Sequence, residues 1–159
     1  MCLGVYIGSD KPFEVPDSGD KRGRVHFYPL TRHPPLLAIL GTAHGADALP
    51  DGRCGCGFAL DLNVTFYREP DASEWRIDWD DPETTQELSR RLVYVRELSE
   101  FVRKTARSGR CRLLLCWDGQ WRKPAPAVTP ASADEIVHNP HFFDGTEEAP
   151  KFFEFAAEA

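Results

Sequence analysis

The chain has 159 residues, 42% of them hydrophobic and 28% charged, the composition of a globular protein with enough apolar surface to bury a core. Its formal net charge of −6 argues against the basic footprint that nucleic acid or an anionic membrane surface requires. No apolar run approaches the roughly 20 residues of a membrane span, and Met1-Cys2-Leu3-Gly4-Val5-Tyr6 lacks the basic flank of a secretory leader, so a single cytoplasmic domain over residues 1–159 is expected.

Leu3 to Ile7 predicts a strand, closed by Gly8-Ser9-Asp10. Pro16 to Arg22 is polar and turn-rich, hence an exposed loop. Val25, Phe27 and Leu30 fit a second strand that starts near Arg24 and ends before Pro34-Pro35. Leu36 to Leu40 is wholly apolar and of buried-strand length. Gly41 to Gly52 reads as a long glycine-rich connection, and Phe58 to Leu62 as another strand that continues through Asn63 to Tyr67. Ile77 and Trp79 alternate with Asp78 and Asp80, the pattern of a short half-buried strand whose acids face water.

The clearest element is a helix. Asp81 supplies a capping carboxylate, Pro82 a preset first-turn φ and Glu83 an acid near the positive helix end. Leu88, Leu92, Val95, Leu98 and Val102 then recur at steps of three and four, and Ser108-Gly109 supplies the stop. Such a helix of about 26 residues is roughly 40 Å long, enough to cross a whole sheet. Cys111 to Trp117 predicts a strand, Asp118-Gly119 a hairpin turn, Thr129-Pro130 the start of a short helix running through Val137, and Lys151 to Phe155 a last edge strand. The sum is an α+β fold: a mixed, mostly antiparallel sheet covered by one long helix, with a C-terminal hairpin and a short helix.

Chemistry concentrates in the cysteines, five in number. A disulfide scaffold does not suit a reducing compartment, and each cysteine taken alone reads first as a small buried hydrophobe. Grouping changes that reading. Cys54 and Cys56 are separated by Gly55 and followed by Gly57, so the backbone can approach a ligand closely while both sulfurs face it. Cys2, Cys116 and His44 are candidates to complete the set, and thiolates with an imidazole suit zinc or monovalent copper. The two separated ligand pairs of a structural zinc site are missing. The plain alternative keeps Cys111 and Cys116 in the core and His44 in a solvated loop.

Two rival classes arise elsewhere. Removal of Met1 would give Cys2 a free α-amine beside its thiol, the arrangement of an N-terminal nucleophile hydrolase or amidotransferase, with Tyr6, Asp10 and Asn63 as candidate oxyanion or substrate partners. Asp78, Asp80 and Glu83 would instead give an acidic face for a protein partner. Of the remaining chemistry, His138 and His141 flank Pro140, which breaks any helical presentation of the two imidazoles, and Asp118 would raise rather than lower the pKa of a neighbouring Cys116 thiol.

Taken together, Met1-Cys2-Leu3, Gly8-Ser9-Asp10-Lys11-Pro12, Cys54-Gly55-Cys56-Gly57-Phe58 and Cys116-Trp117-Asp118-Gly119 give the chain the look of a family of small bacterial proteins of uncharacterised activity. Members of that family open with Met-Cys-Leu and carry a Cys-Gly-Cys-Gly-Phe segment mid-chain. The resemblance implies a bacterial cytosolic protein and singles out Cys2, Cys54, Cys56 and Cys116. It carries no activity with it.

Overall fold

Apolar residues at alternate positions of Leu3–Ser9 (β1) and Cys111–Trp117 (β6) make these two strands the centre of the sheet: Leu3, Val5 and Ile7 pair with Trp117, Leu115 and Leu113 and share one buried face. The computed structural model describes residues 2–15, 23–59, 66–67, 76–77, 81–117, 119–139, 141–144, 146 and 148–157, with backbone only at 66, 67, 76, 77, 83 and 87. The other elements are β2 (Val25–Pro29), α1 (Pro34–Leu40), β3 (His44–Pro50), β4 (Phe66–Tyr67), β5 (Arg76–Ile77), α2 (Pro82–Ser108), β7 (Val128–Ala131), α3 (Glu135–His138) and β8 (Lys151–Phe155). Single-turn 3-10 helices lie at Gly55–Phe58 and Gln120–Arg122. Six strands form one sheet in the order β2-β3-β1-β6-β8-β7, in which only the β7–β8 pair is parallel; β4 and β5 pair separately. This is the expected α+β class.

The long helix forms for the expected reasons. Asp81 accepts from the Thr84 N–H at 2.9 Å and from the Thr84 hydroxyl at 2.7 Å, and Pro82 opens the first turn. Tyr94, Val95, Leu98, Phe101 and Val102 face the sheet; Phe101 stacks on Phe27 of β2 with ring centroids 3.9 Å apart. Leu92, placed in the apolar stripe by its spacing, is 39% exposed, because at 100° per residue it falls at the edge of the arc that Thr84, Val95, Leu98 and Val102 bury.

Several elements differ from the sequence reading. Leu36 to Leu40 is not a strand but part of α1, opened by Pro34-Pro35 and closed by Gly41 at φ 62°, whose N–H returns to the Leu37 carbonyl at 2.9 Å. The Gly41–Gly52 connection contains β3. Phe58 ends a 3-10 turn rather than starting a strand, and residues 60–62 lie outside the described set, as do Pro16 to Arg22, Asn63, Asp78, Trp79, Asp80 and Asp118. Val128–Ala131 is a strand, the short helix beginning only at Glu135, and β8 is not an edge but lies between β6 and β7.

The second face of the sheet is covered by α1, whose Leu36 and Leu40 pack on Leu114 and Phe152. Arg112 fixes it there, donating to the Leu40 carbonyl at 3.0 Å and to Glu154 at 2.7 Å. Arg110 binds both oxygens of Asp10 at 3.1 and 3.0 Å and also the Gly41 carbonyl. Among the described residues no helix is long and apolar enough to cross a membrane.

Candidate thiol site

The end of β3 delivers the Cys54–Cys56 segment to the start of β1. After Pro50 the chain reverses through Asp51, whose carboxylate accepts from the Tyr94 hydroxyl of α2 at 2.8 Å. Cys54 follows in extended conformation, and its Sγ accepts from the Cys56 N–H at 3.1 Å, capping the 3-10 turn. Cys56 Sγ in turn accepts from the Leu3 N–H at 3.3 Å, a link across 53 residues. Arg91 of α2 donates to the Phe58 carbonyl at 2.7 Å, and the fully buried Phe58 stacks on Phe143.

The glycine between the cysteines has a steric reason. A Cβ at Gly55 would lie 2.5 Å from the Leu3 carbonyl oxygen and 2.7 Å from a Val5 methyl, so only glycine lets this loop rest directly on β1.

Burial pushes the Cys54 thiol up to about 12; hydrogen bonding with the Cys56 side chain and, in smaller measure, with the Cys2 side chain acts in the same direction, while the Cys56 N–H opposes it. Cys54 is therefore a neutral thiol near pH 7. Cys2 is exposed, whereas Cys54 and Cys56 are half-buried, and all are unpaired thiols. The site thus holds one open thiol, on the residue before Leu3, and two sheltered ones at each of which an amide N–H is aimed.

Of the predicted site residues, the structure sets Cys54 and Cys56 against the start of β1, at Leu3, the residue next to Cys2. Cys116 lies opposite Gly4, buried among Leu114, Phe152 and the α1 leucines, on the sheet face away from the core that Cys56 packs against. His44 pairs with Ser9, at the end of β1 opposite Leu3, and six residues of strand put about 20 Å between them. Among the described residues no group of three or more His, Cys, Asp or Glu side chains is disposed to hold a metal ion. Cys111 is a core residue, its thiol pushed up to about 12 by burial.

Of the partners named for an N-terminal nucleophile, Asn63 lies outside the described residues and Asp10 lies away from Cys2. Asp10 is paired with Arg110, at the Ser9 end of β1, and the Tyr6 ring folds over Gly4, where a Cβ would meet it at 2.4 Å. Of the acidic face, Glu83 is described by its backbone alone. The sequence reading missed the Leu3 amide, Arg91 and Asp51 as supports of the thiol loop. A backbone N–H has no residue signature, and the other two act through contacts between distant segments. No family model, curated protein or solved structure matches the chain.

Proposed function

We propose that the protein is a dithiol redox protein that exchanges with disulfides through Cys2 and Cys54, with Cys56 as the supporting sulfur. The observation that carries this reading is the seating of the half-buried Cys54–Cys56 pair on the start of β1: Cys56 Sγ accepts from the N–H of Leu3, the residue that follows the exposed Cys2.

Roles follow from exposure. Cys2, deprotonated, attacks one sulfur of a substrate disulfide, forming a mixed disulfide and releasing the other half as a thiolate that takes up a proton. The Cys54 thiol then gives up its proton, and its sulfur attacks Cys2. A Cys2–Cys54 disulfide forms and the second substrate thiol leaves with a proton. The protein dithiol loses two electrons, and the substrate disulfide gains them. A neutral Cys54 is a poor nucleophile toward molecules in solution, yet it sits beside the mixed disulfide, where proximity replaces intrinsic reactivity. The Cys56 N–H, directed at Cys54 Sγ, stabilises the thiolate as it forms.

Treatment with oxidised glutathione, followed by peptide mapping without reductant, tests this. The expected product is a peptide pair joined through Cys2 and Cys54, absent from the Cys2→Ser and Cys54→Ser variants. Oxidation that leaves this pair reduced, or that joins Cys111 or Cys116 instead, overturns the reading.

A further inference from the structure

A concave site independent of the thiols lies where β7, the turn after α3 and the start of β8 meet. The groove encloses about 510 Å³, within the range of small-molecule sites. His141 and Lys151 stand on its wall, with Thr129, Glu135, Phe142 and Phe153 around them. Two hydrogen bonds shape the turn that carries His141: Asn139 Oδ1 accepts from the His141 N–H at 3.0 Å, and the Phe142 N–H returns to the Asn139 carbonyl at 3.1 Å. Phe142 stacks on Phe153 with centroids 4.6 Å apart, and Pro126 and Pro150 add apolar walls.

The polar groups have fixed roles. His141 Nδ1 lies 2.7 Å from Asp144 Oδ2. In the neutral imidazole the carboxylate takes the Nδ1–H, which leaves Nε2 as an acceptor. Lys151 Nζ donates to the Phe142 carbonyl at 3.3 Å, which places a cationic donor beside the same turn. Glu135, also on the groove lining, accepts from the Ser132 N–H at 2.9 Å and offsets the lysine charge in the groove's formal balance. A balanced groove favours a neutral polar ligand over an anion.

We propose that this groove binds a small planar heteroaromatic ring bearing an N–H beside a C=O, the edge a pyrimidine base presents. The ring N–H donates to His141 Nε2, the adjacent carbonyl accepts from Lys151, and the ring face lies against the apolar walls. Asp144 is a positioning residue that holds the imidazole tautomer.

Uracil is the probe, followed by NMR on the full chain with the His141 ring proton and the Phe153 ring as reporters. Saturable shifts at both are expected by about 10 mM. The comparison ligand is 1,3-dimethyluracil, the same ring with both N–H groups capped, and it should bind at least about tenfold more weakly. His141→Ala and Lys151→Ala should each weaken uracil by a similar factor, while Cys2→Ser leaves it unchanged. Absence of saturable shifts with uracil, equal binding of the two ligands, or unaltered affinity in folded His141→Ala and Lys151→Ala variants overturns the proposal. The ligand comparison decides on the unsubstituted chain even where a variant fails to fold.

Discussion

Asp47 stands in the middle of β3, opposite Tyr6 of β1 on one side and Tyr28 of β2 on the other, with its Oδ1 buried and without a hydrogen-bond partner among the described residues. Burial raises its pKa from 3.8 to about 6. Between those values the folded chain binds a proton that the unfolded chain has released, so stability falls as pH rises through that window. At pH 7 the buried carboxylate opposes folding by about 1–3 kcal/mol. Asp47→Asn is therefore expected to raise the urea midpoint at neutral pH and to flatten its dependence between about pH 4 and 6; a variant less stable than the parent at pH 7 would show that the charge has a hidden partner. The thiols give a second expectation at this scale. Cys54 and Cys111 both lie near 12, so less than about one part in ten thousand of either is thiolate at pH 7.5. Brief alkylation should mark the exposed Cys2 and spare both; equal labelling of Cys2 and Cys54 contradicts a half-buried, neutral Cys54.

Local signals carry α2 and fail for α1, and the difference is physical. Asp81, Pro82 and the recurring apolar positions reinforce one another over 27 residues, whereas Leu36–Leu40 is too short to show a period. The deciding marks there are the flanking prolines and Gly41, the signature of a helix start and stop rather than of strand punctuation. In β3 the alternation is hidden because Ala46 and Ala48 line the buried face with the smallest apolar side chains. The site was legible in part for the same reason. The Cys54-Gly55-Cys56 spacing is local, but which partners it meets depends on strand order, and strand order sends His44 to the far end of β1 and Cys116 through to the second face. Two substitutions test the local devices. Asp81→Ala removes the cap and should cost about 1 kcal/mol in urea unfolding; no loss would mean that the first turn is held by other contacts. Gly55→Ala forces a methyl against the Leu3 carbonyl, with an expected loss of about 1–3 kcal/mol and faster alkylation of Cys54 as the loop lifts from β1.

At the scale of the molecule, the proposed disulfide has a consequence that follows from where its ends lie. Cys2 precedes the central strand, and Cys54 follows β3; between them the chain lays down β1, the edge strand β2 and the whole of α1. A bond between these ends closes a loop of about 50 residues in the unfolded chain, and the loop-closure relation gives a ceiling of about 4 kcal/mol of added stability. The native contacts change little, because Cys56 Sγ already binds the N–H of Leu3, the residue after Cys2. Oxidation is therefore expected to slow unfolding and raise the urea midpoint with a smaller m-value, since the cross-linked unfolded state stays more compact. A bond confined to Cys54 and Cys56 closes a minimal loop and leaves the midpoint almost unmoved. Urea unfolding of oxidised and reduced protein thus tells the two pairings apart without sequencing a peptide. An oxidised form no more stable than the reduced one would remove Cys2 from the redox pair, and with it the exposed thiol through which the protein is proposed to meet its substrates.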